Sequence, residues 1–351
     1  SMDANTTGAL NTAIGRYSLT SNTTGQKNTA VGGNALLSNV SGESNTAVGY
    51  NALDGNTADN NVAVGYHSSL NNTTGNVNTS VGTESLEANT TGSQNVAIGY
   101  QALHANTTGT FNTACGRSSM FSNTTASNNV AYGKDSLYSN TTGTFNTAIG
   151  RGNLESNVSG DNNTAVGYAA MANSTTSNNT AVGYNAMQAT TTGYQNTAVG
   201  SKCMDNNTTG LQNTAMGYFA MNDSTTAAQN AAFGSFALYF LTTGGENSAL
   251  GDDAGVEVTT GSNNTLVGNA AGRASSPSGT ITTGSNNVVL GNNNVQNLFC
   301  ADTSISSSDS RDKTDVESFN IGLNWIKALR PVTYRWDRRT WYGTDEEPYG
   351  T

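Results

Sequence analysis

Polar and apolar positions recur along this chain in a fixed order. The unit reads N-T-A-V-G-Y-x-A-L-x-x-N-T-T-G-x-x, with one short apolar stretch (TAVG), a second (AL) and a polar NTTG turn. Its anchor, N-[TVSA]-[ASLV]-x-G, begins at Asn11, Asn28, Asn45 and so on to Asn264 and Asn287, seventeen times in all. The step is 17 residues except for two of 16 and one of 23, the last containing RASSPSG around Pro277. Strands of three to five residues cannot stand alone, but stacked about 4.8 Å apart they pair with their equivalents above and below. The short period and scarcity of helix formers exclude helical repeats, which need 33 residues or more. The pattern therefore predicts an all-β fold over residues 1–300, a parallel β-solenoid or β-roll of about seventeen coils and roughly 80 Å.

Position within the unit suggests the core. Val31, Val48, Val64, Val81, Ile98, Ile149, Val166, Val182 and Val199 are expected to stack into one interior ladder, and Leu36, Leu53, Leu70, Leu86, Leu103, Leu137 and Leu154 into another. The anchor asparagines predict an amide ladder, a structural role rather than a catalytic one. One Val and one Leu per coil enclose little core, and association along a shared axis would bury a second apolar face.

Composition narrows the class. With 40 Gly, 3 Pro and 11 % charged residues, the chain resembles neither an average enzyme nor a disordered polymer. Residues 1–307 carry seven basic and sixteen acidic side chains, which argues against nucleic acid. No stretch has the length and apolarity of a membrane helix, so no membrane insertion is expected. Ser1-Met2 reads as a remnant of an expression tag, which would leave the native start unseen. Cys115, Cys203 and Cys300 lack metal-ligand spacing, and the first two occupy apolar slots of the repeat, which predicts buried free thiols. Abundant N-x-S/T sequons would be glycosylated on a eukaryotic secretory route, which favours a bacterial or viral origin. His67 and His104 fall in different coils and read as isolated surface residues, and the calcium-binding G-G-x-G-x-D repeat is missing, so neither metal nor cofactor is expected.

The segment NVAIGYQA (95–102) resembles the N-S-V-A-I-G-x-x-A repeat in the heads of trimeric autotransporter adhesins. That resemblance covers residues 11 to about 291 and implies a trimeric β-roll, although each unit here is about three residues longer because of the NTTG turn.

The last 44 positions differ: they hold seven of the fourteen Lys and Arg residues, which marks a boundary over a linker at 301–307. Leu323, Ile326 and Leu329 recur at helical spacing, Pro331 ends the helix, and Val332, Tyr334 and Trp336 alternate as in a strand, which predicts a small α+β unit. Two segments, SDSRDK (308–313) and IGLNWIKALRPVTYRW (321–336), resemble the peptidase S74 family, the carboxy-terminal intramolecular chaperone of phage tail fibres and tailspikes. The family's domain continues beyond Trp336 through a G-F-I-A-Q-E-like segment, so residues 308–351 are expected to be its N-terminal part. The resemblance implies that three such domains hold three solenoid chains in register and are then cut away. It implies Ser308 as nucleophile on the bond after Ser307, Lys313 as its activating partner, and Asp309 and Arg311 as supporting residues.

These readings favour a trimeric, self-maturing virion tail fibre or tailspike rather than a metabolic enzyme. Expected partners are a host cell-surface receptor, polysaccharides included, and other tail proteins. Tyr50, Tyr66, Tyr100 and Tyr168, just after the anchor glycines, are candidates for stacking on sugar rings. Alternatives are a bacterial trimeric adhesin head, a glycan-degrading tailspike and an ice-binding threonine array. Glycan cleavage needs two carboxylates about 5 to 10 Å apart. The acidic residues look scattered, as in Glu84, Glu87, Asp135 and Glu155, and the adjacent pair Asp252-Asp253 would point apart on a strand.

Overall fold

The computed structural model describes residues 2–297, and the chain divides into two units after Gln296. Each anchor asparagine is followed by a three-residue strand, from β1 (Thr12–Ile14) and β2 (Thr29–Val31) to β16 (Thr265–Val267) and β17 (Val288–Leu290). Every strand pairs in parallel with the next in sequence, position on position: Thr12 lies opposite Thr29, Ala13 opposite Ala30 and Ile14 opposite Val31. The fold is a parallel β-solenoid with one strand per coil, and no helix occurs among the described residues. The tail, with its expected helix and strand, lies outside them.

The second apolar stretch is a turn rather than a strand. Its leucine takes the left-handed backbone conformation, with φ of 53° at Leu36 and 55° at Leu103. Away from glycine that conformation costs roughly 1–2 kcal/mol per residue. Coil-to-coil hydrogen bonds offset the cost: Leu36 N–H donates to the Ala52 carbonyl at 3.1 Å, and Leu103 N–H to the Ser119 carbonyl at 2.9 Å. The turns thus continue the stacking that the strands begin.

Alternation along the strand decides what is inside. In T-A-V the central residue points inward, so Ala30, Ala47, Ala63, Ala97 and their equivalents are fully buried. The flanking Thr and Val point out. The expected interior Val/Ile ladder is therefore corrected: Val48, Ile98 and Ile149 are exposed, and Val31, Val64, Val81, Val166, Val182 and Val199 are only half-buried. Cys115 shares that outward column and is half-buried, whereas Cys203 sits in the core; both are free thiols.

The leucine ladder is core, with Leu36, Leu53, Leu86, Leu103, Leu137 and Leu154 buried. Leu70 is the exception, half-buried because Ser69 occupies the leucine slot of its coil. Ser68 and Ser69 each bond Ser80 through their hydroxyls, at 2.7 and 2.8 Å, and Ser68 meets Ser85 at 3.1 Å. This polar knot divides the apolar interior into a cluster from Leu19 to Ala63 and another from Leu86 to Val289.

Amides fill two further interior columns. The anchor asparagine accepts the next anchor's N–H on its Oδ1 and donates through Nδ2 to a carbonyl of the next coil's turn, as Asn28 does to Gly42 at 2.8 Å and Asn112 to Ala126 at 2.8 Å. The asparagine of NTTG forms the second ladder; Asn106 Nδ2 donates to Asn89 Oδ1 at 2.8 Å and to its own turn's Gly109 carbonyl at 3.1 Å. Both satisfy polar atoms that burial would otherwise penalise. Close stacking also explains the anchor glycine. At Gly99, φ is +131° and a Cβ would lie 2.7 Å from the Gly116 carbonyl oxygen of the next coil.

Candidate functional site

Ser307, Ser308, Asp309, Arg311 and Lys313 lie outside the described residues, so the candidate site here is the solenoid surface. The outward strand position forms its most continuous feature. Along the array it carries Ile14, Val48, Ile98, Tyr132, Ile149, Met216, Phe233, Leu250, Val267 and Leu290, all exposed apolar side chains on one sheet face. A monomer seldom exposes so long a contiguous apolar strip.

Aromatic residues stack from coil to coil beside it. Tyr50 and Tyr66 lie 5.9 Å apart between ring centroids, and Tyr168 and Tyr184 5.5 Å apart. All four are about half exposed, as is Tyr100, so the tyrosines expected on the surface are there, and Tyr50, Tyr66 and Tyr168 also stack on a neighbouring ring. Another column runs His104, Phe121, Tyr138, with near-parallel rings 5.1 and 5.2 Å apart.

The first threonine of each NTTG turn is committed to the backbone. Thr90 Oγ1 donates to the Thr107 carbonyl at 3.0 Å and Thr107 Oγ1 to the Thr124 carbonyl at 3.1 Å, a pattern repeated along the array. Those hydroxyl protons are spent on neighbouring coils, which weakens the ice-binding alternative.

Two groups read as scattered in the sequence come together. His67 Nδ1 is 3.7 Å from Glu87 Oε1, and His104 Nδ1 is 3.3 Å from Glu87 Oε2. The ligand atoms of Glu84, Glu87 and His104 all lie within 4.8 Å of one another. The histidines are therefore not isolated, and Glu84 and Glu87 are not far apart. The repeat held the signal: His67, Glu84 and Gln101 are spaced by 17, as are Glu87 and His104, so they occupy two columns over three coils. Close by, burial pushes the Asp54 carboxyl above its usual range, and the charge of His67 pulls it back.

Asp252 and Asp253 sit in the turn after strand Ser248–Leu250 rather than on a strand, and Asp253 is paired with Arg273 from the inserted RASSPSG segment. A shallow open depression lined by Glu43, Asp59, Thr57 and Asn76 marks the first 16-residue step. There Asp59 Oδ1 accepts the Glu43 N–H at 2.7 Å, which ties one of the two carboxylates into the coil stack.

Residues 308–350 match the family model of peptidase S74, the chaperone of endosialidase. The match begins at the serine singled out by the SDSRDK motif and runs past Trp336. No curated protein matches the chain. A parallel β-solenoid followed by an S74 segment fits a tail fibre or tailspike that carries this chaperone.

Proposed function

We propose that the protein is a structural subunit of a phage tail fibre or tailspike, a homotrimeric rod in the virion that engages a host surface receptor. The observation that carries this reading is the S74 match placed directly after the repeat array. Parallel pairing of distant segments is slow to nucleate, and an array of seventeen near-identical coils can pair out of register. A trimerising tail that aligns three chains answers both difficulties. The exposed apolar strip supports the same reading, since three chains packed about a common axis would cover it.

Maturation follows from the tail. The Ser308 hydroxyl attacks the Ser307 carbonyl, its proton passes to the Lys313 amine, and the Ser307–Ser308 peptide bond breaks to leave an ester and a free amine. Water then hydrolyses the ester and releases the chaperone. Lys313 can act as base when neighbouring cations or burial lower its pKa; Asp309 and Arg311 would organise the two groups. Mass spectrometry of the mature full-length protein should find Ser307 as the last residue. Ser308→Ala should yield a folded trimer that stays intact. Cleavage at the same bond in that variant would refute the assignment.

The receptor surface is proposed to be the tyrosine columns, with sugar rings stacking on Tyr50, Tyr66, Tyr168 and Tyr184. Alanine at all four positions should abolish adsorption to host cells while leaving the coil stack folded. Undiminished adsorption would exclude this surface.

A further inference from the structure

We propose that His67, Glu84, Glu87 and His104 bind one divalent transition-metal ion of the zinc class, clamping three successive coils. Both histidines of the 351-residue chain converge on one carboxylate. A tetrahedral zinc site with bonds of about 2.0–2.1 Å places neighbouring ligand atoms about 3.3 Å apart. The observed separations, 3.3 Å from His104 Nδ1 and 3.7 Å from His67 Nδ1 to the Glu87 oxygens, sit close to that edge length. The Glu84 carboxylate lies within 4.8 Å of the Glu87 and His104 ligand atoms, and His67 joins this group through its 3.7 Å contact with Glu87. An imidazole and carboxylate donor set suits zinc, cobalt or nickel better than calcium, which prefers an all-oxygen cage.

Charge points the same way. Glu84 and Glu87 bring two negative charges to a partly covered spot where Glu87 and the two histidine side chains are only 21–26 % exposed. Among the described residues no lysine or arginine pairs with either glutamate. A dication would neutralise both.

The surroundings hold the donors in place, as partners outside a metal's ligand shell commonly do. Gln101 Nε2 donates to Glu84 Oε2 at 2.8 Å and leaves Oε1 free. The His67 ring stacks on Tyr66 at 3.8 Å, and the His104 ring on Phe121 at 5.1 Å. Behind His67, Asn34 donates to Asn51, whose amide meets His67 Nε2 at 3.3 Å. A turn of the Asn51 amide would present its oxygen to an Nε2–H once Nδ1 takes the metal.

The location gives the clamp a use. These three coils include the Ser68, Ser69, Ser80 and Ser85 knot, the gap between the two apolar clusters. A metal bridging the coils from outside would reinforce the array where its interior is least apolar. This reading does not depend on the tail-fibre assignment.

The test is equilibrium dialysis of the full chain against zinc chloride, followed by metal analysis. The wild type should retain one zinc per chain, and His67→Ala/His104→Ala should fall to background. Glu87→Gln should weaken binding by about tenfold or more. Cobalt(II) should give the strong visible absorption of a tetrahedral site in the wild type and in Cys115→Ser, but not in the double histidine variant. Circular dichroism without metal should be identical for all four proteins, which separates loss of a site from loss of fold. Equal zinc uptake by the wild type and the double histidine variant would overturn the proposal, as would no uptake by either.

Discussion

From Asn22 to Asn157 the interior corner that follows the leucine slot is filled by asparagine, whereas at Leu241, Val258 and Ile281 the same corner is aliphatic. Between them Ser174, Thr190, Asn207 and Ser224 form a mixed stretch in which the Ser174 and Ser224 hydroxyls and Asn207 Oδ1 have no hydrogen-bond partner. The two solutions differ physically. An amide column fixes register, because each Asn must meet the one before it and a carbonyl of its own turn; the column breaks at Asn39 Oδ1, next to the first 16-residue step. An aliphatic corner is indifferent to register but adds apolar burial. The carboxy-terminal coils are also irregular in a compensated way. Glycine replaces leucine at Gly255 and Gly272, and Leu266 of β16, standing where most strands have Ala, fills the vacated space, its Cδ1 and Cδ2 lying 2.5 and 2.8 Å from the Cβ those glycines lack. Repetition thus specifies the first half of the array, and shape complementarity the end next to the S74 segment.

The largest effect should come from a change that neither half can absorb. Gly99→Ala places a methyl group against the Gly116 carbonyl in a backbone region nearly reserved for glycine. It should cost more than about 3 kcal/mol by denaturant titration. A smaller loss would mean that the coils separate more easily than their stacking implies.

Leu266→Ala and Leu103→Ala should each cost about 2–5 kcal/mol. The Leu266 change should be the greater, since it empties space shared by two coils, while Leu103 leaves a single-coil cavity. Paired melting curves decide the order, and a reversed order would undo the account of compensation around Gly255. Next, Asn106→Leu and Leu241→Asn exchange the two corner types. Each should destabilise by about 1–3 kcal/mol, the first by stranding Asn89 Oδ1 and leaving the Gly109 carbonyl to Asn95 Nδ2 alone, the second by burying an amide in an aliphatic site. A neutral Asn106→Leu would reduce the ladder to filler.

The smallest effect distinguishes inside from outside. Burial pushes the Cys203 thiol up to about 12 from an ordinary 9.0. At pH 8 alkylation should therefore modify half-buried Cys115 and spare Cys203, as peptide mapping would read. Because the folded pKa is raised, the contribution of Cys203 to stability is complete below pH 9 and is lost as pH rises from 9 towards 12.

The 17-residue period made the coil, the parallel pairing, the leucine ladder and the anchor amide ladder legible, because each depends only on which residue recurs. The placing of Val and Ile did not follow, since a recurring apolar column can lie on either face of a strand; the period-2 rule puts Ala30 inside and Val31 outside. Leu70 misled because its coil reads YHSSL, and counting from Gly65 gives the leucine slot to Ser69. His67, Glu84, Glu87 and His104 looked unrelated until aligned by column, where contacts arise between residues 17 and 20 apart rather than between neighbours. The S74 motif was legible because it is a local pattern of side chains with fixed spacing, independent of the solenoid.

The central claim is that the outward strand column is a shared trimer axis. Sedimentation equilibrium of the full chain beside its Ile98→Asp/Ile149→Asp variant tests it most directly, because both positions are exposed on that column and neither fills the coil interior. The account predicts three chains per particle for the wild type, and dissociation of the solenoid with retained β-structure for the variant. A wild-type chain that sediments as a stable, folded monomer would contradict it.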